Sequence, residues 1–299
     1  FFGIILIGVI FGGDSETVEV ENNSVIELNL SDISDDYAGK YSDPWVTAFS
    51  ERKKIGLTDV INAIEIAETD DAIKGISILN TNSSLGMAQS KELRDALNRF
   101  KKSGKFIYSY ANNYSQKEYY LNSVATSIYI NPIGELDFKG LSTEIMFFKD
   151  FQEKSGLKME VIRHGKYKSA VEPFLENKMS DANKEQTMAL LNGIWTNIVE
   201  DISKSRNIPV EKLNTIANGL LARTPEMAKA QNLIDYIAYE DVYHNAIRKL
   251  LKVDKDEDYN TVSIADYTQK TITTSVNMDS NDAIAIVYAQ GEIGSGEGD

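Results

Sequence analysis

The stretch Ile73-Lys74-Gly75-Ile76-Ser77-Ile78-Leu79 is short, rich in isoleucine and almost continuously apolar. That pattern reads as a strand buried on both faces. Downstream, residues 88–102 place Leu93, Ala96, Leu97 and Phe100 at helical spacing, and Gly104 suits the C-terminal cap. Residues 105–110 predict the next strand and residues 116–124 a helix. Residues 126–130 predict another strand, closed by Asn131-Pro132. Upstream, residues 24–30 (SVIELNL) alternate as a strand. Residues 32–54 read as a polar loop. Thr58 is a candidate N-cap for a helix carrying Val60, Ile61, Ile64 and Ala67. Strands that alternate with helices of about 10–15 residues imply βαβ units. The expected class is therefore α/β, with right-handed crossovers in a mainly parallel sheet.

Past residue 130 the pattern becomes helical. A helix is predicted over residues 143–154 and a short strand over 159–163. Ser180 then caps a long helix over 181–204, with Leu190, Leu191, Ile194, Trp195, Ile198 and Ile202 on its apolar positions. Pro209 begins a short helix. Thr224-Pro225-Glu226 is a strong helix start, with Thr as cap and Pro in the first turn. Residues 240–251 close the helical region. Residues 252–281 are charged and then Thr-rich. They read as a linker with a candidate edge strand at 261–264.

Composition narrows the chemistry. Among 299 residues, 45 acidic side chains outnumber 31 basic ones, for a net charge of −14. This balance argues against a nucleic-acid partner and against a polybasic membrane patch. There is no cysteine, which excludes disulfides, thiolate catalysis, iron–sulfur clusters and cysteine zinc sites. The only histidines are His164 and His244, so a Ser-His-Asp hydrolase or a His-rich metal centre is a poor reading. No cofactor and no metal are expected.

The ends carry their own expectations. Residues 1–13 (FFGIILIGVIFGG) are apolar and uncharged, shorter than the roughly 20 residues that span a bilayer. They read as the last part of a transmembrane anchor, with a signal-peptide core or a buried strand as alternatives. Residues 14–23 would be a polar tether. Residues 283–289 (AIAIVYA), followed by GEIGSGEGD, repeat the strand-then-polar-loop pattern of residues 24–30. The likeness is either a coincidence, since such strands are common, or the opening of a second α/β unit near residue 282. Both ends are abrupt, as in a fragment cut from a longer chain.

The most reactive pattern is GKYKSAVEPF, residues 165–174. A lysine held against apolar surface gives up its proton more readily, and a neutral lysine is a base. Ala170, Val171, Pro173 and Phe174 could supply a dry wall. On spacing alone, Lys166 and Lys168 read more readily as solvated surface groups, as most lysines are. Ser169 neighbours Lys168 in sequence, but adjacent side chains do not normally face one another. Ser115 precedes a helix and reads as an N-cap. His164 reads as a strand-end residue near the site, and His244 as a surface residue beside Tyr243 and Arg248. The loop of residues 80–86 contains one glycine, too few for a phosphate loop, although its backbone N–H groups could face an anion.

The segment GKYKSAVEPF, with Met179-Ser180 and a long helix carrying Trp195 after it, resembles the signal peptide peptidase A family (protease IV) in its long, tandem-repeat form. Ser115-Gln116 with Tyr119-Tyr120-Leu121 and Ser123 is similar to the same region of the family's first repeat. Tyr259 and Asp266-Tyr267 are similar to the linker between repeats, and residues 1–13 to the membrane anchor. The resemblance implies a ClpP/crotonase-like α/β superhelix of βαβ units with a helical extension. Residues 24–251 would form the first repeat and residues 282–299 the start of a second. Lys168 matches the family's general-base lysine, and Lys166 occupies a non-catalytic position. The nucleophilic serine and oxyanion glycines of the family lie in the second repeat, so no residue here inherits those roles. Loop 80–86 would be the degenerate counterpart of an oxyanion loop. The implied protein is a membrane-anchored serine-lysine endopeptidase that degrades cleaved signal peptides or other apolar peptides. It would be a homo-oligomer at the bacterial plasma membrane, with its catalytic domain on the outer side. The alternatives are a crotonase-like acyl-CoA enzyme and a non-catalytic, membrane-tethered scaffold.

Overall fold

The computed structural model of the protein describes residues 19–33, 36, 55–79, 83–274 and 287. The anchor expected at residues 1–13, half of the tether, most of the loop at 32–54, and all of 282–299 except residue 287 lie outside them. The chain alternates β1 (Ser24–Asn29), α1 (Leu57–Ala67), β2 (Ile73–Leu79), α2 (Met87–Lys102), β3 (Phe106–Ala111), α3 (Gln116–Asn122) and β4 (Ser127–Ile130). Two later strands, β5 (Tyr236–Ile237) and β6 (Thr261–Ser263), complete one sheet in the order β5-β4-β3-β2-β1-β6. Every pairing is parallel. The expected α/β class with a parallel sheet is what the structure contains, consistent with a ClpP/crotonase-like superhelix.

Side-chain alternation sorts the sheet into two unlike faces. Ile26, Leu28, Ile76, Ile78, Ile107, Ile128 and Ile130 point into the larger core, beneath α1, α2 and α3. Val25, Tyr110 and Tyr129 point the other way and pack with Tyr243, Ile247 and Leu251 of α9 (Glu240–Leu251). β-branched residues fill the first face and tyrosines much of the second. The tyrosine hydroxyls find partners, as buried polar tips must. Tyr243 and Ser77 hydroxyls lie 2.6 Å apart, as do those of Tyr114 and Ser109. On α2, Leu93, Leu97 and Phe100 are fully buried, each worth about 1.5–3 kcal/mol in transfer terms.

One polar residue ties the layers. Arg94 of α2 is buried and donates through one nitrogen to the Tyr120 carbonyl and to Ser123 Oγ (2.7 Å). Its other terminal nitrogen donates to the Asp201 carbonyl (2.9 Å) and to Ser205 Oγ (2.6 Å). The latter two lie on the long helix α6 (Asp181–Arg206).

Several local expectations need correction. The first helix starts at Leu57 with Gly56 as N-cap, and the Thr58 hydroxyl instead donates to the Asp36 carbonyl at 2.9 Å. The third ends at Asn122 rather than 124, because the chain turns through buried Val124 and Ala125 into β4. The helix expected from residue 143 begins only at Lys149 (α4, Lys149–Ser155). The Phe148 N–H is taken by the Pro173 carbonyl at 2.7 Å. Residues 159–163 form no strand. Among the described residues no neighbouring strand satisfies their backbone, and the Met159 N–H goes to Gln152 Oε1 at 2.7 Å.

The stretch read as a linker also carries structure. β6 adds to β1, and α10 (Ile264–Thr274) packs against α1. Val262, Ile264 and Tyr267 enter the core, so residues 261–274 belong to the domain's packing. Charged residues 254–258 obscure this in sequence, while the apolar contacts that decide it are distant along the chain. Tyr267 is fully buried, and its hydroxyl donates to Asp70 Oδ2 at 3.0 Å.

Two stability predictions follow from this packing. Tyr267→Ala should cost about 3–5 kcal/mol in urea unfolding. Tyr267→Phe, which keeps the ring, should cost only about 1 kcal/mol. Arg94→Met should cost about 3 kcal/mol by the same measurement, since two carbonyls and two hydroxyls lose a buried donor.

Candidate active site

The candidate site lies on an arm that leaves the sheet after β4 and returns through α6. Its root is pinned to the domain. Gln116 Oε1 accepts from the N–H groups of Lys139 (3.0 Å) and Gly140 (2.9 Å), and its Nε2 donates to the Gly140 carbonyl. Phe138 packs against Trp195 at 5.5 Å between ring centroids, and Trp195 Nε1 donates to Asn214 Oδ1 at 2.8 Å.

Beyond the root, α4 and the short helix α5 (Glu172–Leu175) brace one another. Phe148 stacks on Phe174 at 5.9 Å, and Gln152 Nε2 donates to the Phe174 carbonyl at 2.8 Å. Between them, Gly165 adopts φ +104°, a conformation that L side chains rarely reach. The turn it makes closes with the Lys168 N–H donating to the Gly165 carbonyl at 3.3 Å. Tyr167 reaches α6, its hydroxyl donating to Glu185 Oε2 at 3.2 Å.

Lys168 lines an open groove of about 490 Å³ with Ile162, His164, Tyr167, Ser169 and Val171, and with Gln186 of α6. Lys168, Lys166, His164 and Ala170 are exposed. The expected dry wall is thus not closed around the lysine by the described residues. Pro173 and Phe174 turn toward Phe148 and Gln152 instead, because the backbone bonds of α5 orient them there. Lys166 leans on the Tyr167 ring and Glu185, 3.9 Å from the carboxylate, a solvated pair that fits a surface role.

Ser115 lies elsewhere. It caps α3 in a two-way box, its Oγ accepting from the Glu118 N–H and its own N–H donating to Glu118 Oε2. It borders a separate cleft of about 860 Å³ at the C-terminal ends of the central strands, with Ser83 and Lys117. Lys117 Nζ there is held by the carbonyls of Ser83 and Leu85. Of loop 80–86, residues 80–82 lie outside the described residues. His244 is half-buried rather than on the open surface, with Nδ1 2.7 Å from the Tyr259 hydroxyl. The structure therefore brings Lys168, Ser169 and His164 to one groove and leaves Ser115 and His244 out.

The sequence model of peptidase family S49 matches residues 99–254, which span both the arm and its root. The chain belongs to peptidase family S49. This S49 chain is 31% identical to protease 4 of Haemophilus influenzae over all of its own length and 51% of the relative's. It is 33% identical to protease 4 of Salmonella typhi over 81% of this chain and 40% of the relative. It is 30% identical to the chloroplastic serine protease SPPA of Arabidopsis thaliana over 92% of this chain and 39% of the relative. The S49 chain thus spans about half, or less, of the length of these curated relatives.

Sequence reasoning missed Gln186 and Glu172. Gln186 faces the groove from a helix that starts only at residue 181, and nothing in the linear pattern marks it. Glu172 is a buried carboxylate within GKYKSAVEPF. Its signal was an acidic residue between Val171 and Pro173, which reads as surface in isolation.

Exposure of Lys168 in this chain is directly measurable. In amine acylation followed by peptide mapping, Lys168 should label as fast as fully exposed Lys158, and Lys117 several-fold more slowly.

Proposed function

We propose that this chain carries the general base of a serine-lysine peptidase whose nucleophile lies in sequence following Asp299. The observation that carries the reading is the position of Lys168: the exposed residue lines an open groove on a projecting arm, within the segment matched by the S49 family. The names of the relatives, protease 4 and serine protease SPPA, support a serine-type peptidase.

In this mechanism a serine from the second repeat enters the groove and covers Lys168. The neutral amine takes the serine hydroxyl proton as the oxygen attacks the scissile carbonyl. The resulting ammonium returns that proton to the leaving amine as the peptide bond breaks. Lys168 then takes a proton from water, which attacks the acyl ester, and gives it back to the serine oxygen as the acid departs. Backbone N–H groups of the second repeat hold the oxyanion in both halves.

Apolar peptides, including cleaved signal peptides, are the proposed substrates. Ile162 and Tyr167 expose apolar surface in the groove with the lysine, which suits such chains. Membrane anchoring through residues 1–13, and placement on the outer side of the bacterial plasma membrane, belong to the same proposal. Among the described residues no helix is long and apolar enough to cross a membrane. Met146, Phe151 and Leu157 leave further apolar surface on the arm, which supports a homo-oligomer.

Full-length protein with Lys168→Ala or Lys168→Arg should lose peptide hydrolysis by at least about 1,000-fold, with the same thermal unfolding as the parent. An arginine stays protonated and cannot take the serine proton. Hydrolysis that survives either change would remove Lys168 as the base.

A further inference from the structure

Between Phe138 and Ile198, the only buried side chains are Glu172 and Asn183, and they bond to each other. The arm has no apolar core in this span. Glu172 Oε2 accepts from Asn183 Nδ2 at 2.6 Å and from the Ser180 N–H at 3.2 Å. Ser180 is the N-cap of α6, so the carboxylate sits against the positive end of a long helix. Asn183 is held in turn: its N–H donates to Ser180 Oγ, and its Oδ1 accepts from the Thr187 hydroxyl. On the other side, the Glu172 N–H donates to the Ser169 carbonyl at 2.9 Å, one residue from Lys168. A single residue therefore grips the helix with its side chain and the lysine turn with its backbone.

We infer that Glu172 is a positioning residue for Lys168, clamping the lysine-bearing turn to the first turn of α6. The inference rests on the reading of Lys168 as the base. Electrostatics suits a permanent clamp. Burial by itself would push the Glu172 carboxyl up, but the hydrogen bonds from Ser180 and Asn183 and the nearby Arg163 charge outweigh it. The group stays below the ordinary carboxylate range and remains ionised at neutral pH. Loss of the clamp would leave the turn attached mainly through the exposed contacts of Tyr167 and Lys166 with Glu185. Misplacement of a catalytic group by about 1 Å costs about 100-fold in rate.

The test is peptide hydrolysis by full-length protein. Glu172→Ala should lower kcat by about 100-fold with little change in KM. Glu172→Gln can still accept from the Ser180 N–H and bond a reoriented Asn183 amide, and should recover most of that loss. In a Lys168→Ala background, Glu172→Ala should cost nothing further, because the clamp acts only through the lysine. Since the sheet core does not include the arm, thermal unfolding should stay at the parent value. If Glu172→Ala does not fold, Asn183→Ala reads the same clamp from its other side and should lower kcat by an intermediate factor. Parent-like kcat in Glu172→Ala, or in Asn183→Ala when that variant stands in, would overturn the inference while leaving Lys168 as the base. Equal loss in Glu172→Ala and Glu172→Gln would also overturn it. Activity retained in Lys168→Ala would instead sink the base assignment on which the inference stands.

Discussion

A parallel sheet must be covered on both faces, because its strands expose apolar side chains to either side and its backbone tolerates little water. Here the two faces are covered by different chemistry. Isoleucines meet the α1–α2–α3–α10 layer, and tyrosines meet α9. Helices from both ends of the described chain are needed for this cover. That requirement draws residues 261–274 back to the β1 edge, next to the helix that follows β1. It also leaves the polypeptide between Phe138 and Ile194 outside the apolar core, so this stretch can project.

The projecting arm is built on a different principle from the domain. The domain is held by apolar contact, while the arm is held by stacked rings, backbone bonds and one buried polar pair. An arm of this kind exposes apolar side chains along most of its length. Such surface fits a part that completes its packing against another body. The groove at Lys168 has the same character: it is open, and Lys168 is exposed. In the proposed peptidase, closure of that groove by the serine-bearing half would both exclude water and bring nucleophile to base.

The site was only partly legible in sequence. On spacing alone GKYKSAVEPF left both lysines as surface groups, and only the family resemblance singled out Lys168. Separation of Ser115 from the lysine groove was foreseen through its capping pattern, which is local chemistry. Glu172 and Gln186 were not foreseen. Their significance comes from α6, and no periodicity links a turn to the face of a helix that follows it.

From sequence alone came what depends on neighbours a few residues away. This includes the central strands, the caps at Ser115, Ser180 and Thr224, the glycine after α2, and the exclusion of thiol chemistry. Tertiary structure alone decided that residues 159–163 form no strand, that the Thr-rich tail packs into the domain, and that Lys168 is exposed beside a clamped carboxylate. The reason is the same in each case. A strand needs another strand, burial needs a covering surface, and a hydrogen-bonded carboxylate needs donors that only the fold brings within 3 Å or so.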